Sequence, residues 1–382
     1  MKILITSIVD LQNSQHNRPH QFIKHLSKKH DITVLSINDW WKASQGDLKA
    51  YSNDFNEVFK KVKIIHLTER RVSPILQEVM SLNKVKEVLR EGFDVHLNYS
   101  TLATGYIASM KVNTVYDIAD DLGAMIRSSP QIPNCLKFIG GAVGDFFIKK
   151  NISTARKITL TTPTLINTCR IPMDKPIEII PNGVDVENFR DYGSNKKKDL
   201  GLEGFNIGYV GVLREWVDLR PVYLALKKLD SSIKLIVVGK EGKFNENIEM
   251  AKKYGIEDRI KFLGMVPYSQ VPHYISAMDV CIIPFKNGAI SENALPLKLF
   301  EYMACSKPVI SAKLPGIERA AKDNILYANN IDEYKLQIYK LYNDDSLRMT
   351  MGAHGRQIVE ANYNWSKIAD QMDRVLMETA TK

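Results

Sequence analysis

Two residues of opposite charge, Lys298 and Glu301, stand just behind Pro296 in the run Asn293-Ala-Leu-Pro-Leu-Lys-Leu-Phe-Glu301-Tyr-Met-Ala-Cys-Ser306-Lys-Pro-Val-Ile310. The run reads as a loop, a helix from about Leu297, and a turn into a buried strand. Proline suits the helix start, where its missing N–H costs nothing. The open N–H groups of the first helical turn, with the helix dipole, make a site for a diphosphate. Lys298, in the same turn, adds a point charge to it. Glu301, roughly one turn on, can accept hydrogen bonds from the two hydroxyls of a ribose. These types at this spacing point to a nucleoside diphosphate.

Other chemistries find less support. Neither strand-to-helix turn carries G-x-G-x-x-G, and no G-x-x-x-x-G-K-[ST] occurs. The first turn, Ser7-Ile-Val-Asp-Leu-Gln-Asn13, has no glycine to let a dinucleotide approach the backbone, which disfavours a dehydrogenase. The four cysteines (Cys135, Cys169, Cys281, Cys305) show no C-x-x-C spacing and read as reduced, mostly buried thiols. Of the eight histidines only His16 and His20 stand at H-x-x-x-H spacing, with no cysteine beside them, and no metal site is expected. His20, on the first predicted helix, has a surface or capping role as its plainer reading. The net charge of +9, with clusters at Lys60-Lys61-Lys63, Arg70-Arg71 and Lys196-Lys197-Lys198, favours phosphate-bearing ligands or anionic lipid surfaces. The clusters are not interleaved with aromatics, which argues against nucleic acid.

The elements that position these residues are short β-rich runs alternating with amphipathic stretches, the pattern of α/β folds with parallel sheets. The first series of strands is Lys2–Ser7, Asp31–Ser36, 63–67, 94–97, Thr114–Ile118 and Lys157–Leu160. The second is 205–212, Ile233–Val238, 260–262, Val280–Ile283 and 308–311. At 382 residues the chain exceeds the roughly 250–300 at which single cores stop growing. Two doubly wound Rossmann-like domains are expected, residues 1–184 and 185–364. The polar stretch 191–198 reads as a linker or surface loop. The tail from Trp365 is amphipathic, its plain reading a last helix on the second domain. The apolar segment 132–150, with Phe138, Phe146 and Phe147, could touch a membrane or a lipid-linked acceptor, although core packing is the better reading. The opening apolar run ends at Val9, too short for a signal peptide, and no run approaches the ~18 apolar residues that span a bilayer. A cytoplasmic protein is expected, at most peripheral on the inner face of the membrane.

The segment from Asn293 resembles the donor-binding motif of family-4 glycosyltransferases, retaining enzymes of the GT-B fold, E-G-F-P-x-x-x-x-E-A-M-A-x-G-x-P-V. Asn293, Pro296, Glu301, Met303, Ala304, Pro308 and Val309 occupy corresponding positions. Asn293 replaces the first acid, Ser306 replaces glycine, and Lys298 is an addition. Other segments agree in order: Ile179-Ile-Pro-Asn-Gly-Val-Asp185 at the domain junction, Ile207-Gly-Tyr-Val-Gly-Val-Leu-Arg214-Glu-Trp-Val-Asp218 facing the donor phosphates, Ile260-Lys-Phe-Leu-Gly264-Met-Val-Pro267 beside the nucleobase, and Ala277-Met-Asp-Val-Cys-Ile-Ile-Pro284 after it. Together they cover about half the chain.

The resemblance implies two Rossmann-like domains facing a central cleft, with the C-terminal helix, about 365–382, packing back on the first. It implies transfer from a nucleotide diphosphate sugar, UDP- or GDP-linked, to a glycan, glycolipid or lipid-linked acceptor, without a required metal or other cofactor. Gly211, Arg214, Gly264, Val266, Pro284, Leu295, Pro296, Leu297, Lys298 and Glu301 would hold the donor. Arg214 and Lys298 would stabilise the departing diphosphate, Lys298 standing in for a lysine usual near Trp216–Asp218. Asn293 would face the donor sugar. Asp120 and Asp121, in Tyr116-Asp117-Ile-Ala-Asp120-Asp121 at the carboxyl end of a strand, could position sugar hydroxyls or the acceptor, or bind a divalent ion. Their plainer reading is a turn and helix cap. A UDP-sugar epimerase fits the Asn293–Val309 pattern less well, and a degenerate GT-B scaffold has no need of a diphosphate site.

Overall fold

The computed structural model describes residues 1–14, 16–38, 55–70, 72–128, 134–193 and 195–381. Arg71 of one basic cluster, and the first two residues of the apolar segment 132–150, lie outside them. The chain forms two compact units, Met1–Pro181 with Ser366–Lys382, and Asn182–Trp365.

The first unit is built on β1 (Lys2–Ser7), β2 (Asp31–Ser36), β3 (Lys63–His66), β4 (Val95–Tyr99), β5 (Thr114–Ile118), β6 (Lys157–Leu160) and β7 (Ile177–Ile179), in the order β3-β2-β1-β4-β5-β6-β7. All pairings are parallel. β1 (KILITS) and β5 (TVYDI) are near-continuous buried runs, as strands covered on both faces must be. The second unit carries β8 (Phe205–Val210), β9 (Ile233–Val238), β10 (Ile260–Gly264), β11 (Val280–Ile283), β12 (Val309–Ser311) and β13 (Leu326–Tyr327), ordered β10-β9-β8-β11-β12-β13 and likewise parallel. Both sheets reverse direction of growth once, beside β1 and beside β8. The fold class is the doubly wound α/β expected; β7 and β13 were not anticipated.

The helices used below are α1 (Arg18–Leu26), α2 (Pro74–Met80), α3 (Ala103–Ser109), α4 (Leu122–Ser128), α5 (Lys137–Thr154), α6 (Leu297–Ala304), α7 (Asp345–Asn362) and α8 (Trp365–Ala380). The final helix belongs to the first unit: Asp373 receives His30 Nε2 at 2.6 Å, Lys29 reaches Asp370 at 2.9 Å, and Lys157 reaches Glu378 at 3.1 Å. Three expectations need correction. The stretch 191–198 is not all loop, because Asn195–Asp199 is helical, with Lys196 paired to Asp199 and Lys197 to Asp279. The apolar segment on α5 is not simply core, since Phe138 and Phe146 are exposed. Of the cysteines, only Cys281 and Cys305 are buried, and Cys135 is exposed.

Candidate active site

In an open α/β sheet the ligand crevice lies beyond the carboxyl ends of the strands where the winding reverses. In the second unit that point falls between β8 and β11. These strands pair only at Ile207–Val280 and Gly208–Cys281, then part. Tyr302 of α6 fills the split: its hydroxyl accepts the Val210 N–H at 2.8 Å and lies 3.4 Å from the Val210 carbonyl. The helix is thereby fixed against the strand end, with its first turn at the crevice. Pro296 occupies the N-cap with extended backbone (φ −69°, ψ 135°) and offers no side-chain cap, which leaves first-turn N–H groups for a ligand.

Lys298 lies inside this corner. Its ammonium donates to the Tyr209 hydroxyl at 2.9 Å and stands 4.1 Å above the Tyr209 ring and 5.6 Å from that of Phe285. Tyr209 in turn donates to the Val212 carbonyl at 2.7 Å. Gly211 makes room: at φ +129° a Cβ there would stand 2.8 Å from Lys298 Nζ. Among the described residues no carboxylate forms an ion pair with Lys298. Burial lowers its pKa from 10.5 to about 7, against a smaller raising effect of Glu301. Glu301, 8% exposed, is pushed up from 4.5 to about 7 by burial, opposed by Lys298 and by the Tyr268 hydroxyl that donates to Oε1 at 3.3 Å. Half-buried Lys298 and buried Glu301, of opposite sign and close on one helix, are each drawn toward neutrality by burial.

The other predicted donor residues gather around them. Arg214 is exposed on a loop held by the Asp218 N–H to the Pro284 carbonyl (2.8 Å) and the Lys286 N–H to the Trp216 carbonyl (2.8 Å); its charge lowers the pKa of Tyr209 against a larger rise from burial. Gly264 ends β10 at φ +73° and accepts the Gly239 N–H at 2.7 Å. Val266, just after it, is buried. Leu295 is buried and its carbonyl accepts from Asn182 Nδ2 at 2.7 Å, which ties the Asn182-Gly183 turn to the loop that launches α6. Leu297 and Pro296 are half-buried at its start. Asn293 ends the short helix Ala289–Asn293, buried, its Nδ2 donating to the Ala289 carbonyl at 2.9 Å.

Sequence reasoning missed Tyr209, Tyr268, Tyr302 and Gly239. Their signal is weak: tyrosines in apolar runs read as core, and Gly239 as a strand end. A Cβ at Gly239 (φ +137°) would clash with the Gly211 carbonyl oxygen, so glycine is required at 239 for the strand ends to meet.

In the first unit the acids of 116–121 divide in role. Asp117 is buried and committed: Arg18 Nε donates to Oδ2 at 2.8 Å, Arg18 Nη2 to Oδ1 at 3.0 Å, and Thr159 Oγ1 to Oδ1 at 2.7 Å. Asp121 Oδ1 accepts the Ala124 N–H at 2.9 Å, an N-terminal cap of α4. Among the described residues the Asp120 carboxyl makes no hydrogen bond, and burial raises its pKa from 3.8 to about 6, with Arg18 opposing and Asp121 and Asp117 adding. His20 is structural: Nδ1 accepts the Asn17 N–H at 3.1 Å, Nε2 meets the Leu11 carbonyl at 2.9 Å, and burial lowers its pKa to about 4. The glycine-free first turn is closed by Asp10 instead, whose Oδ1 accepts the N–H of Gln12 (3.1 Å) and of Asn13 (3.2 Å).

Fold and site together define a class: a protein of the GT-B fold with an open crevice at the switch point of its second sheet. Residues 194–358, within the second unit, match the family model of glycosyl transferases group 1. The chain is 27% identical over 215 residues to the glycosyltransferase MJ1069 of Methanocaldococcus jannaschii, a match spanning 53% of each chain, so it covers about half of that relative. Among solved structures it is similar to sucrose-phosphate synthase from Thermosynechococcus elongatus (TM-score 0.75, 16% identity, 99% of this chain and 98% of that one). It is also similar to Anabaena HepE in complex with UDP-glucose (TM-score 0.72, 18% identity, 99% and 100%). At these identities the structural likeness establishes the fold.

Proposed function

We propose that this protein transfers a glycosyl group from a nucleoside diphosphate sugar to a glycan, glycolipid or lipid-linked acceptor, with retention at the anomeric carbon. The observation that carries the reading is Lys298. A cation held against Tyr209, beside open helix N–H groups and drawn down to about 7, is matched to a diphosphate, whose charge would restore its own. Arg214, exposed at the strand end, adds a second cation where charge grows on the leaving group. Glu301, braced by Tyr268, takes the ribose hydroxyls, and Gly211, Gly264, Val266, Pro284, Leu295, Pro296 and Leu297 give the walls. Asn293 faces the sugar, and Asp120 is the group of the first unit that acts on a hydroxyl of donor or acceptor. No metal is needed when fixed cations meet the diphosphate.

A thermal-shift screen against UDP, GDP, ADP, CMP and their common sugars, with and without magnesium, tests this, since a ligand of the folded state raises the melting temperature by mass action. HepE's complex with UDP-glucose puts uridine donors first. A shift with one nucleoside diphosphate, lost in Lys298→Ala and Glu301→Ala, supports the reading. No shift at millimolar ligand returns the chain to a degenerate scaffold.

A further inference from the structure

Helix α5 has apolar residues on both of its faces. Its inner face closes on α4, where a Cβ at Gly141 would meet Arg127 Cγ at 2.8 Å and one at Gly144 would meet Ile126 Cδ1 at 2.7 Å. Farther along that face, Asn151 and Ile152 are buried. Its outer face should then be polar, as on an ordinary surface helix. Instead Phe138 is 84% exposed, Ile139 58% and Phe146 54%, spaced to lie along one stripe. Exposed apolar patches on this scale mark contact sites. The charges near the stripe are one-sided. The acid of the helix, Asp145, is neutralised by Arg127, whose Nη1 donates to its two oxygens at 3.0 and 2.9 Å. Lys149 and Lys150 flank the stripe, and among the described residues neither forms an ion pair. The Lys150 ammonium lies over the Phe146 ring, 5.6 Å from its centre.

We propose that the outer face of α5 is a docking surface for an anionic lipid bilayer, with Phe138, Ile139 and Phe146 entering the interface and Lys149 and Lys150 meeting the headgroups. Aromatic and aliphatic anchors bordered by lysines are what such an interface recognises. The attachment is peripheral, since among the described residues no helix is long and apolar enough to cross a membrane. The inference is independent of the donor reading, because its residues all belong to the first unit.

Vesicle flotation with the full chain tests it, using phosphatidylcholine with and without phosphatidylglycerol. The wild type should float with the phosphatidylglycerol vesicles, and raising salt should weaken the partitioning. Phe138→Ser with Ile139→Ser should reduce partitioning at least tenfold, and Phe146→Ser alone should reduce it severalfold, which serves if the double variant fails to fold. Each of Lys149→Gln and Lys150→Gln should cost about fivefold. Nucleoside diphosphate binding, read by thermal shift, should be unchanged in all of them, so failure of this surface is distinguishable from failure of the donor site. Equal partitioning into neutral vesicles, no partitioning at all, or partitioning untouched by the serine variants would overturn the proposal. So would concentration-dependent dimerisation abolished by Phe138→Ser, which would assign the face to a second copy of the chain.

Discussion

The Lys298 ammonium donates to the Tyr209 hydroxyl at 2.9 Å, and that hydroxyl donates onward to the Val212 carbonyl at 2.7 Å. The lysine is thus positioned by a strand residue rather than by an acid, and its charge stays available to a ligand. Tyr209→Phe removes the relay while keeping the ring. Nucleoside diphosphate affinity should fall about fivefold, the worth of one hydrogen bond of about 1 kcal/mol, with the fold intact by circular dichroism. Titration calorimetry checks it, and an unchanged affinity would mean that the placement of Lys298 is immaterial.

Lys298 and Glu301 also predict a conflict between stability and binding. Glu301 has its pKa raised from 4.5 to about 7, so its contribution to stability is present below 4.5 and is lost as pH rises through about 7. Lys298 has its pKa lowered from 10.5 to about 7, so its contribution is present above 10.5 and is lost as pH falls through about 7. The pair therefore supports the empty fold least near neutrality. Lys298→Met should raise the stability of the unliganded protein at pH 7 by about 0.5–2 kcal/mol while abolishing the nucleotide-induced thermal shift. A variant that melts lower than wild type at pH 7 would show that the lysine is already compensated.

Ser306 stands where the resembled motif has glycine, and its backbone is left-handed at φ +55°. The carbonyl of the same residue packs on α7, where a Cβ at Gly352 would stand 2.1 Å from it, so the turn cannot relax. A left-handed residue with a Cβ costs about 1 kcal/mol. Ser306→Gly should raise the melting temperature by about 2–4 °C and leave nucleotide affinity as it was; a lower melting point would show that the turn prefers its serine.

Much of the fold was legible because parallel strands buried on both faces read as apolar runs whatever their partners. The exceptions are instructive. Ile177–Ile179 follows a proline and is only partly buried, and Leu326–Tyr327 is two residues long; neither is long enough to show a period. The crevice was legible where backbone chemistry demands a residue type, as at Pro296 and Gly211, or where a charge breaks an apolar run, as at Lys298 and Glu301. It was not legible where distant side chains complete it. Tyr302 enters the split between β8 and β11, and Asn182 reaches the Leu295 carbonyl, across 92 and 113 positions of sequence respectively. Segment 132–150 misled because an apolar helix on the surface and one in the core share the same composition.

The two adjacent acids of the first unit should separate cleanly in function. Asp121 caps α4 through the Ala124 N–H, so Asp121→Ala should cost about 1 kcal/mol of stability and leave glycosyl transfer nearly at the wild-type rate. Among the described residues the Asp120 carboxyl caps nothing. Its pKa is raised from 3.8 to about 6, first by burial, so its contribution to stability is present below 3.8 and is lost as pH rises through about 6. At pH 7 the carboxylate is ionised at a cost to the fold, and Asp120→Asn should be at least as stable as wild type. If the ionised carboxylate accepts a hydroxyl proton or orients a sugar, the transfer rate of the wild type rises with pH through about 6. Asp120→Asn then loses about 10²-fold or more together with that limb of the profile. Rate–pH profiles with a donor identified by thermal shift decide it. A normal rate in Asp120→Asn, or the same acid limb in both proteins, would remove Asp120 from the chemistry and leave the first unit's contribution to residues other than these acids.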